Sequence, residues 1–218
     1  MKLERGQKFL LIGDSITDCD RAKPAGEGLF DALGKGYVSY VDALFQSVYP
    51  ELSIRTVNKG ISGNTVRDLK PRWKEDVLDQ KPDWLSIMIG TNDVWRQYDT
   101  PFINDWHVYL DEYEATLEQL VKETKPLVKG LILMTPFYIE SNEGDAMRRT
   151  MDQYGAVVKR IAKDHDCILV DTQAAFNEVL QHLYSATLAW DRVHPTAAGH
   201  MILAKALLKE LEFEWNRA

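Results

Sequence analysis

Five short, continuously apolar runs, separated by longer amphipathic stretches, limit what this chain can fold into. The runs are Lys8–Ile12, Ile54–Asn58, Trp84–Ile89, Leu131–Met134 and Cys167–Val170. Apolar character that is continuous rather than alternating marks strands covered on both faces. Between them, Tyr37–Val48 spaces Val38, Val41, Leu44, Phe45 and Val48 by three and four, as one face of a helix requires. Thr65–Leu78 opens with Thr65 as an N-cap and Asp68 three positions on as its partner. Asp111–Thr124, Met147–Lys163, Thr172–Leu183 and Ala197–Glu210 read as further helices. Strand and helix alternate, so the fold class is α/β: a mostly parallel five-stranded sheet between helices, with right-handed crossovers. At 218 residues the chain suits one domain, residues 1–218. Arg21–Gly36, with four glycines, and Tyr98–Val108 read as irregular surface segments able to shape access to a site.

Composition narrows the function classes. A net charge of −7 and no basic run argue against nucleic acid or an anionic membrane as partner. The N-terminus lacks an apolar secretion segment, and no apolar run approaches bilayer length. Cys19 and Cys167 are the only cysteines and form no C-x-x-C pair, which suits a reduced, cytoplasmic setting.

Three motifs fall directly after strands, where open parallel sheets bind ligands. Gly13-Asp14-Ser15 follows the first, Lys59-Gly60-Ile61-Ser62-Gly63-Asn64 the second and Gly90-Thr91-Asn92-Asp93 the third. In a flavodoxin-like strand order 2-1-3-4-5, these loops are neighbours on one rim. A fourth motif, Trp190-Asp191-Arg192-Val193-His194-Pro195, precedes the last helix. Its carboxylate and imidazole, three positions apart, fit one turn. Asp191 can fix the ring tautomer and leave the other nitrogen free to take a proton from Ser15. A serine hydroxyl needs such a base, and attack on an ester carbonyl creates an oxyanion that needs donors already aimed at it. The backbone N–H of Ser15, the backbone N–H of Gly63 and the side chain of Asn92 are the candidates. Asp14, Asn64, Trp95 and Trp190 are candidate substrate contacts, with Asp14 also suited to bracing its loop.

Each motif alone has a plainer explanation. Gly-Asp-Ser after a strand is good helix-capping chemistry, Gly-Thr-Asn-Asp suits a turn, and an Asp–His pair can brace a loop. Their order and their rim positions together favour catalysis. His200 reads as structural, and His107, His165 and His182 as surface residues. Cys19 reads as a small packed side chain without a base of its own. Asp14, Asp18, Asp20 and Asp93 raise a magnesium pocket as a weaker alternative, since no phosphate-binding motif accompanies them. Arg148-Arg149 reads as a solvated helix start, and Trp73 and Trp215 as packing or interface residues.

Gly13-Asp14-Ser15, Gly63, Gly90-Thr91-Asn92-Asp93 and Asp191-Arg192-Val193-His194 resemble the four sequence blocks of the SGNH (GDSL) hydrolases. The first block ends in Ile16 where that family carries Leu. The resemblance implies a single three-layer α/β/α sandwich, with Ser15 as nucleophile and Asp191 and His194 completing the triad. It further implies that Gly63 and Asn92 help form the oxyanion hole, with no metal or organic cofactor. The segments Asn58–Leu69, Asn92–Tyr98 and Trp190–Pro195 are similar to those of bacterial cytoplasmic acetylxylan esterases. That narrower likeness implies a small acetylated saccharide as substrate and a homo-oligomer. A thioesterase, lysophospholipase or short-chain carboxylesterase on the same fold, and a catalytically silent sugar-binding module, remain the competing readings.

Overall fold

A computed structural model describes residues 1–217. The five strands are β1 (Lys8–Gly13), β2 (Arg55–Asn58), β3 (Trp84–Met88), β4 (Gly130–Met134) and β5 (Ile168–Val170). They form one sheet in the order β2-β1-β3-β4-β5, and all four pairings are parallel. The helices are α1 (Ser15–Asp18), α2 (Tyr37–Val48), α3 (Val66–Trp73), α4 (Thr91–Asp99), α5 (Leu110–Thr124), α6 (Ala146–Asp164), α7 (Thr172–Leu180), α8 (Ser185–Leu188) and α9 (Ala197–Glu210).

Neighbouring strand residues point to opposite faces, and both faces are buried. Phe9, Leu11, Trp84, Met88, Ile132 and Met134 pack with residues of α2, α7 and α9. Leu10, Ile12, Leu85, Ile87, Leu131 and Leu133 pack with residues of α3, α5 and α6. The result is the expected three-layer α/β/α sandwich, and it accounts for strands without an apolar–polar alternation. Crossing from β1 to β2 on one side and to β3 on the other leaves the ends of these three strands adjacent, with their loops on one rim.

The structure departs from the sequence expectation in several places. Thr91–Asp99 is helical, although the sequence suggests a turn at Gly90-Thr91-Asn92-Asp93 and irregular chain from Tyr98. Its buried residues are Thr91, Asn92, Asp93 and Val94, so it lacks the apolar stripe that reveals a helix. Tyr98 and Asp99 therefore belong to α4, not to the irregular segment. The helix opened by Thr65 stays α-helical only to Trp73 and continues as a π turn over Lys74–Leu78. Pro71 lies inside it and cannot donate to the preceding turn. Thr65 and Asp68 do pair as expected, the Asp68 carboxylate accepting the Thr65 N–H at 2.8 Å. The helix begun at Thr172 ends at Leu180 rather than Leu183. His107 is buried, not at the surface, because its ring bonds to the Thr100 carbonyl (3.1 Å) and the Tyr109 hydroxyl (3.2 Å). Arg148 is 3% exposed, not solvated, because its guanidinium pairs with Asp152 and the Glu140 carbonyl. Among the described residues, no helix is long and apolar enough to cross a membrane.

Candidate active site

β1 runs into the single turn α1 through Asp14, whose Oδ1 accepts the Ile16 N–H at 3.0 Å. Ser15 is the first residue of that turn. Its own N–H therefore has no intrahelical acceptor and stays available. α1 ends at Cys19 in a left-handed conformation, φ 40°. The hydroxyl thus stands at the carboxyl edge of the central strands, half-exposed.

Between α8 and α9, Asp191 organises a tight turn. Its Oδ1 accepts the N–H groups of Val193 (3.0 Å) and His194 (2.8 Å), and its Oδ2 lies 2.6 Å from His194 Nδ1. Arg192, at φ 64°, lets the turn close. Its carbonyl accepts the Ile139 N–H at 2.9 Å and its guanidinium pairs with Glu140 at 2.6 Å, which ties the turn to the segment after β4. His194 Nε2 reaches Ser15 Oγ at 3.0 Å, across 179 positions of sequence. Burial alone would raise the Asp191 carboxyl. The His194 ring and the N–H groups of His194 and Val193 outweigh it and hold Asp191 below the ordinary carboxylate range. Asp191 is therefore a carboxylate, which keeps the Nδ1 proton on the imidazole and leaves Nε2 as the acceptor for the serine proton.

Two other loops carry Gly63 and Asn92, the residues expected to supply oxyanion donors. Gly63 is exposed at φ +85°, a conformation that favours glycine whatever the available space. A Cβ there would meet nothing within 4 Å, so in the free protein the backbone angle, and not crowding, calls for glycine. Asn92 lies in the first turn of α4, and its Nδ2 donates to the Asn64 carbonyl at 3.0 Å. One N–H anchors the neighbouring loop, and the second remains for a ligand.

The four candidate substrate contacts fare differently. Asp14 is 1% exposed and cannot touch a substrate from there: its carboxylate serves as the cap beneath Ser15. Burial pushes it up to about 6, against the opposing pull of the Ile16 N–H and of His194. Asn64 turns its amide oxygen to Arg72 Nε at 2.9 Å. Trp95 stands edge-on to the His194 ring, with centroids 5.5 Å apart, and Arg96 stacks on it. Trp190, beside Asp191, is 83% exposed and available at the rim.

His200 is structural, as expected: Nδ1 accepts the Tyr37 N–H at 3.2 Å, and burial, with a smaller contribution from His194, lowers it to about 4. Cys19, read as lacking a base, does face His200 Nε2 at 3.6 Å, but burial raises the thiol. Trp73 is buried and bonds Thr124 Oγ1 at 2.9 Å. The carboxylates considered for magnesium diverge: Asp18 binds Ser62, Asp20 faces Lys35 and Asp93 binds Val66. From the sequence, Asp18 and Asp93 carry only the magnesium alternative, and Asp93 and Arg192 otherwise stand as members of their motifs with no role of their own. Their adjacency to Ser15, Asp191 and Asn92 was the available signal.

The family model for GDSL-like lipases/acylhydrolases matches residues 11–202. The chain belongs to this GDSL-like hydrolase family. It is a carboxylic-ester hydrolase. Among its relatives in the family, an acetylxylan esterase of Geobacillus stearothermophilus is 73% identical over 218 residues, the whole of both chains. The crystal structure of that enzyme, Axe2, superposes with a TM-score of 0.99 over 100% of each chain. Structures of Axe2 with alanine at Ser15, His194 or Asp191 are described as catalytic mutants. LAE5, an α/β hydrolase from the metagenome of Lake Arreo, is 52% identical with a TM-score of 0.96 over 98% of each chain.

Proposed function

We propose that this hydrolase removes acetyl groups from acetylated xylo-oligosaccharides, with Ser15 as nucleophile, His194 as base and Asp191 as its orienting carboxylate. The relay of Asp191, His194 and Ser15, with contacts of 2.6 and 3.0 Å, carries the reading. The 73% identity to the Geobacillus acetylxylan esterase, and the correspondence of its catalytic mutants to these three residues, support the substrate.

Ser15 Oγ attacks the acetyl carbonyl as His194 Nε2 takes its proton. The oxyanion is held by the N–H groups of Ser15 and Gly63 and the free N–H of Asn92 Nδ2. One such donor contributes on the order of 10²–10³ in turnover. His194 then hands its proton to the departing sugar oxygen. Water, deprotonated by the same imidazole, releases acetate from Ser15. Trp95, Asn64 and Trp190 form the saccharide side of the site.

The test is acetate release from acetylated xylo-oligosaccharides against acyl thioesters, lysophospholipids and p-nitrophenyl esters of increasing chain length. The highest kcat/KM belongs to the acetylated oligosaccharides; a higher value on thioester or lysophospholipid overturns the substrate. An organophosphorus reagent that leaves no adduct mass on Ser15 returns the protein to a silent binding module. Action in the cytoplasm and assembly into a homo-oligomer complete the reading. The assembly is supported by Leu29, Phe30 and Phe102, apolar side chains that stand almost wholly in solvent. A single-chain mass by light scattering refutes that part.

A further inference from the structure

The Gly63 N–H donates no hydrogen bond among the described residues, as an amide kept for an oxyanion must not. A free amide on an exposed, left-handed glycine cannot hold its own position. Its place must come from bonds made by its neighbours. Three of those bonds are accepted by two buried carboxylates.

On one side, Asp18 Oδ2 accepts both the N–H and the Oγ–H of Ser62, each at 3.0 Å. On the other, Asp93 Oδ1 accepts the Val66 N–H at 3.0 Å, while the adjacent Asn92 Nδ2 holds the Asn64 carbonyl at 3.0 Å. Gly63 lies between these two attachments. Each carboxylate also shares a helical turn with another reacting group. Asp18 closes α1, which Ser15 opens, and Asp93 directly follows Asn92 in α4. Both keep one oxygen buried without a partner among the described residues, Asp18 Oδ1 and Asp93 Oδ2. That arrangement costs stability, and apolar residues of similar size would avoid the cost.

We propose that Asp18 and Asp93 are positioning residues that clamp the Ser62–Val66 loop from both sides and so register the Gly63 amide against Ser15 and Asn92. The proposal rests on the esterase reading above. The clamp needs an acceptor at each position and does not need a charge. Asn at either position keeps an acceptor oxygen, whereas Ala and Leu do not. For Asp93 the environment already favours the neutral acid: burial, with Asp14 and Asp68 adding to it, pushes the carboxyl up to about 8.

The experiment compares Asp18→Ala, Asp93→Ala, Asp18→Leu and Asp93→Leu with Asp18→Asn and Asp93→Asn in steady-state hydrolysis of p-nitrophenyl acetate. A methyl trifluoromethyl ketone, which Ser15 converts into a tetrahedral oxyanion adduct, serves as second readout. The Ala and Leu variants lose about 10- to 100-fold in kcat with KM nearly unchanged, and their ketone affinity falls in parallel. The Asn variants recover most of both. Leu fills the space that Ala would leave empty. If neither Ala nor Leu folds, Ser62→Ala, at an exposed residue, still lowers kcat and ketone affinity together by losing one bond to Asp18. Ala or Leu variants within about threefold of the parent, Asn variants as impaired as Ala, or an unchanged Ser62→Ala overturn the clamp. Turnover that survives Ser15→Ala would overturn Ser15 as the nucleophile, the reading on which the clamp rests. Turnover lost in Ser15→Ala but intact in the Asp18 and Asp93 variants overturns the clamp alone.

Discussion

Replacing Asp93 by Asn should make the folded protein more stable at neutral pH, and the gain should grow with pH in a calculable way. Asp93 is buried, with one oxygen on the Val66 N–H and the other without a partner among the described residues. Burial first, and then the charges of Asp14 and Asp68, raise it from 3.8 to about 8. In the unfolded chain it ionises near 3.8, so between these values the folded state binds the extra proton. Its stability contribution is therefore fully present below pH 3.8 and is lost as pH rises toward 8, at about 1.4 kcal/mol per pH unit. By pH 7 the loss reaches about 4 kcal/mol, a large share of the roughly 5–15 kcal/mol that holds a domain together. An Asn at position 93 has no proton to exchange. The amide adds a constant cost, because its second N–H group enters a place without an acceptor. A constant cost shifts the comparison without tilting it. Asp14, also raised, titrates in both proteins and largely cancels in the difference. Denaturant unfolding followed by tryptophan fluorescence, repeated at intervals from about pH 4.5 to 8, gives the stability of each protein. The difference, variant minus parent, should climb steadily across that range and level off above it. A difference that stays flat, or that falls as pH rises, refutes the neutral buried acid.

Ser15→Ala should abolish deacetylation while thermal unfolding stays cooperative; activity within about tenfold of the parent defeats the nucleophile assignment. Asp191→Asn should lower kcat by about 10³–10⁴ without a comparable rise in KM, because an amide N–H facing His194 Nδ1 forces the proton onto Nε2, which then cannot accept from Ser15. Trp190→Ala should raise KM for acetylated xylo-oligosaccharide about tenfold and move that for p-nitrophenyl acetate far less, since the exposed indole can stack on a sugar but is not needed by a small ester. Equal changes on both substrates would remove Trp190 from the saccharide subsite.

What could be read from the chain followed from how strongly each feature is written locally. Strands such as Leu131–Met134 announced themselves because both faces are apolar, and α2 and α9 began and ended where their periodicity did. The serine, the Asp–His pair and the loops of Gly63 and Asn92 stood out because each is a short motif at a strand or helix boundary. α4 did not, because its buried residues are Thr91, Asn92, Asp93 and Val94, of which only Val94 is apolar and joins the core. His107 and Arg148 depart from the sequence expectation for a related reason. A polar side chain goes inside when backbone carbonyls receive it, here those of Thr100, seven positions before His107, and Glu140, eight before Arg148, and no helix or strand periodicity marks those carbonyls as acceptors. Asp14 shows the same limit from the other side: its position in Gly-Asp-Ser marks it as close to the chemistry, but only the geometry shows that it faces inward.

This pattern explains why the residues beside the reacting groups are the ones sequence reading misses. In the proposed mechanism Ser15, Gly63, Asn92 and His194 must each leave a donor or acceptor unspent, so none can be fixed by the group it would use on the substrate. Their positions have to be set by the next residues along: Asp14 and Asp18 for the serine turn, Ser62 and Asn64 for the glycine, Asp93 for Asn92, and Arg192 for the Asp191–His194 turn. Most of these are polar side chains fully or partly withdrawn from water. Arg192 even adopts a left-handed backbone, which a core built for stability alone would avoid. A site organised in this way concentrates its stability cost around the reacting atoms. Asp93→Asn separates stability from charge at one such position, and Asp93→Ala separates charge from positioning. If the first stabilises the fold while the second slows the chemistry, the buried acid is retained for the place it gives the oxyanion loop and not for the proton it carries.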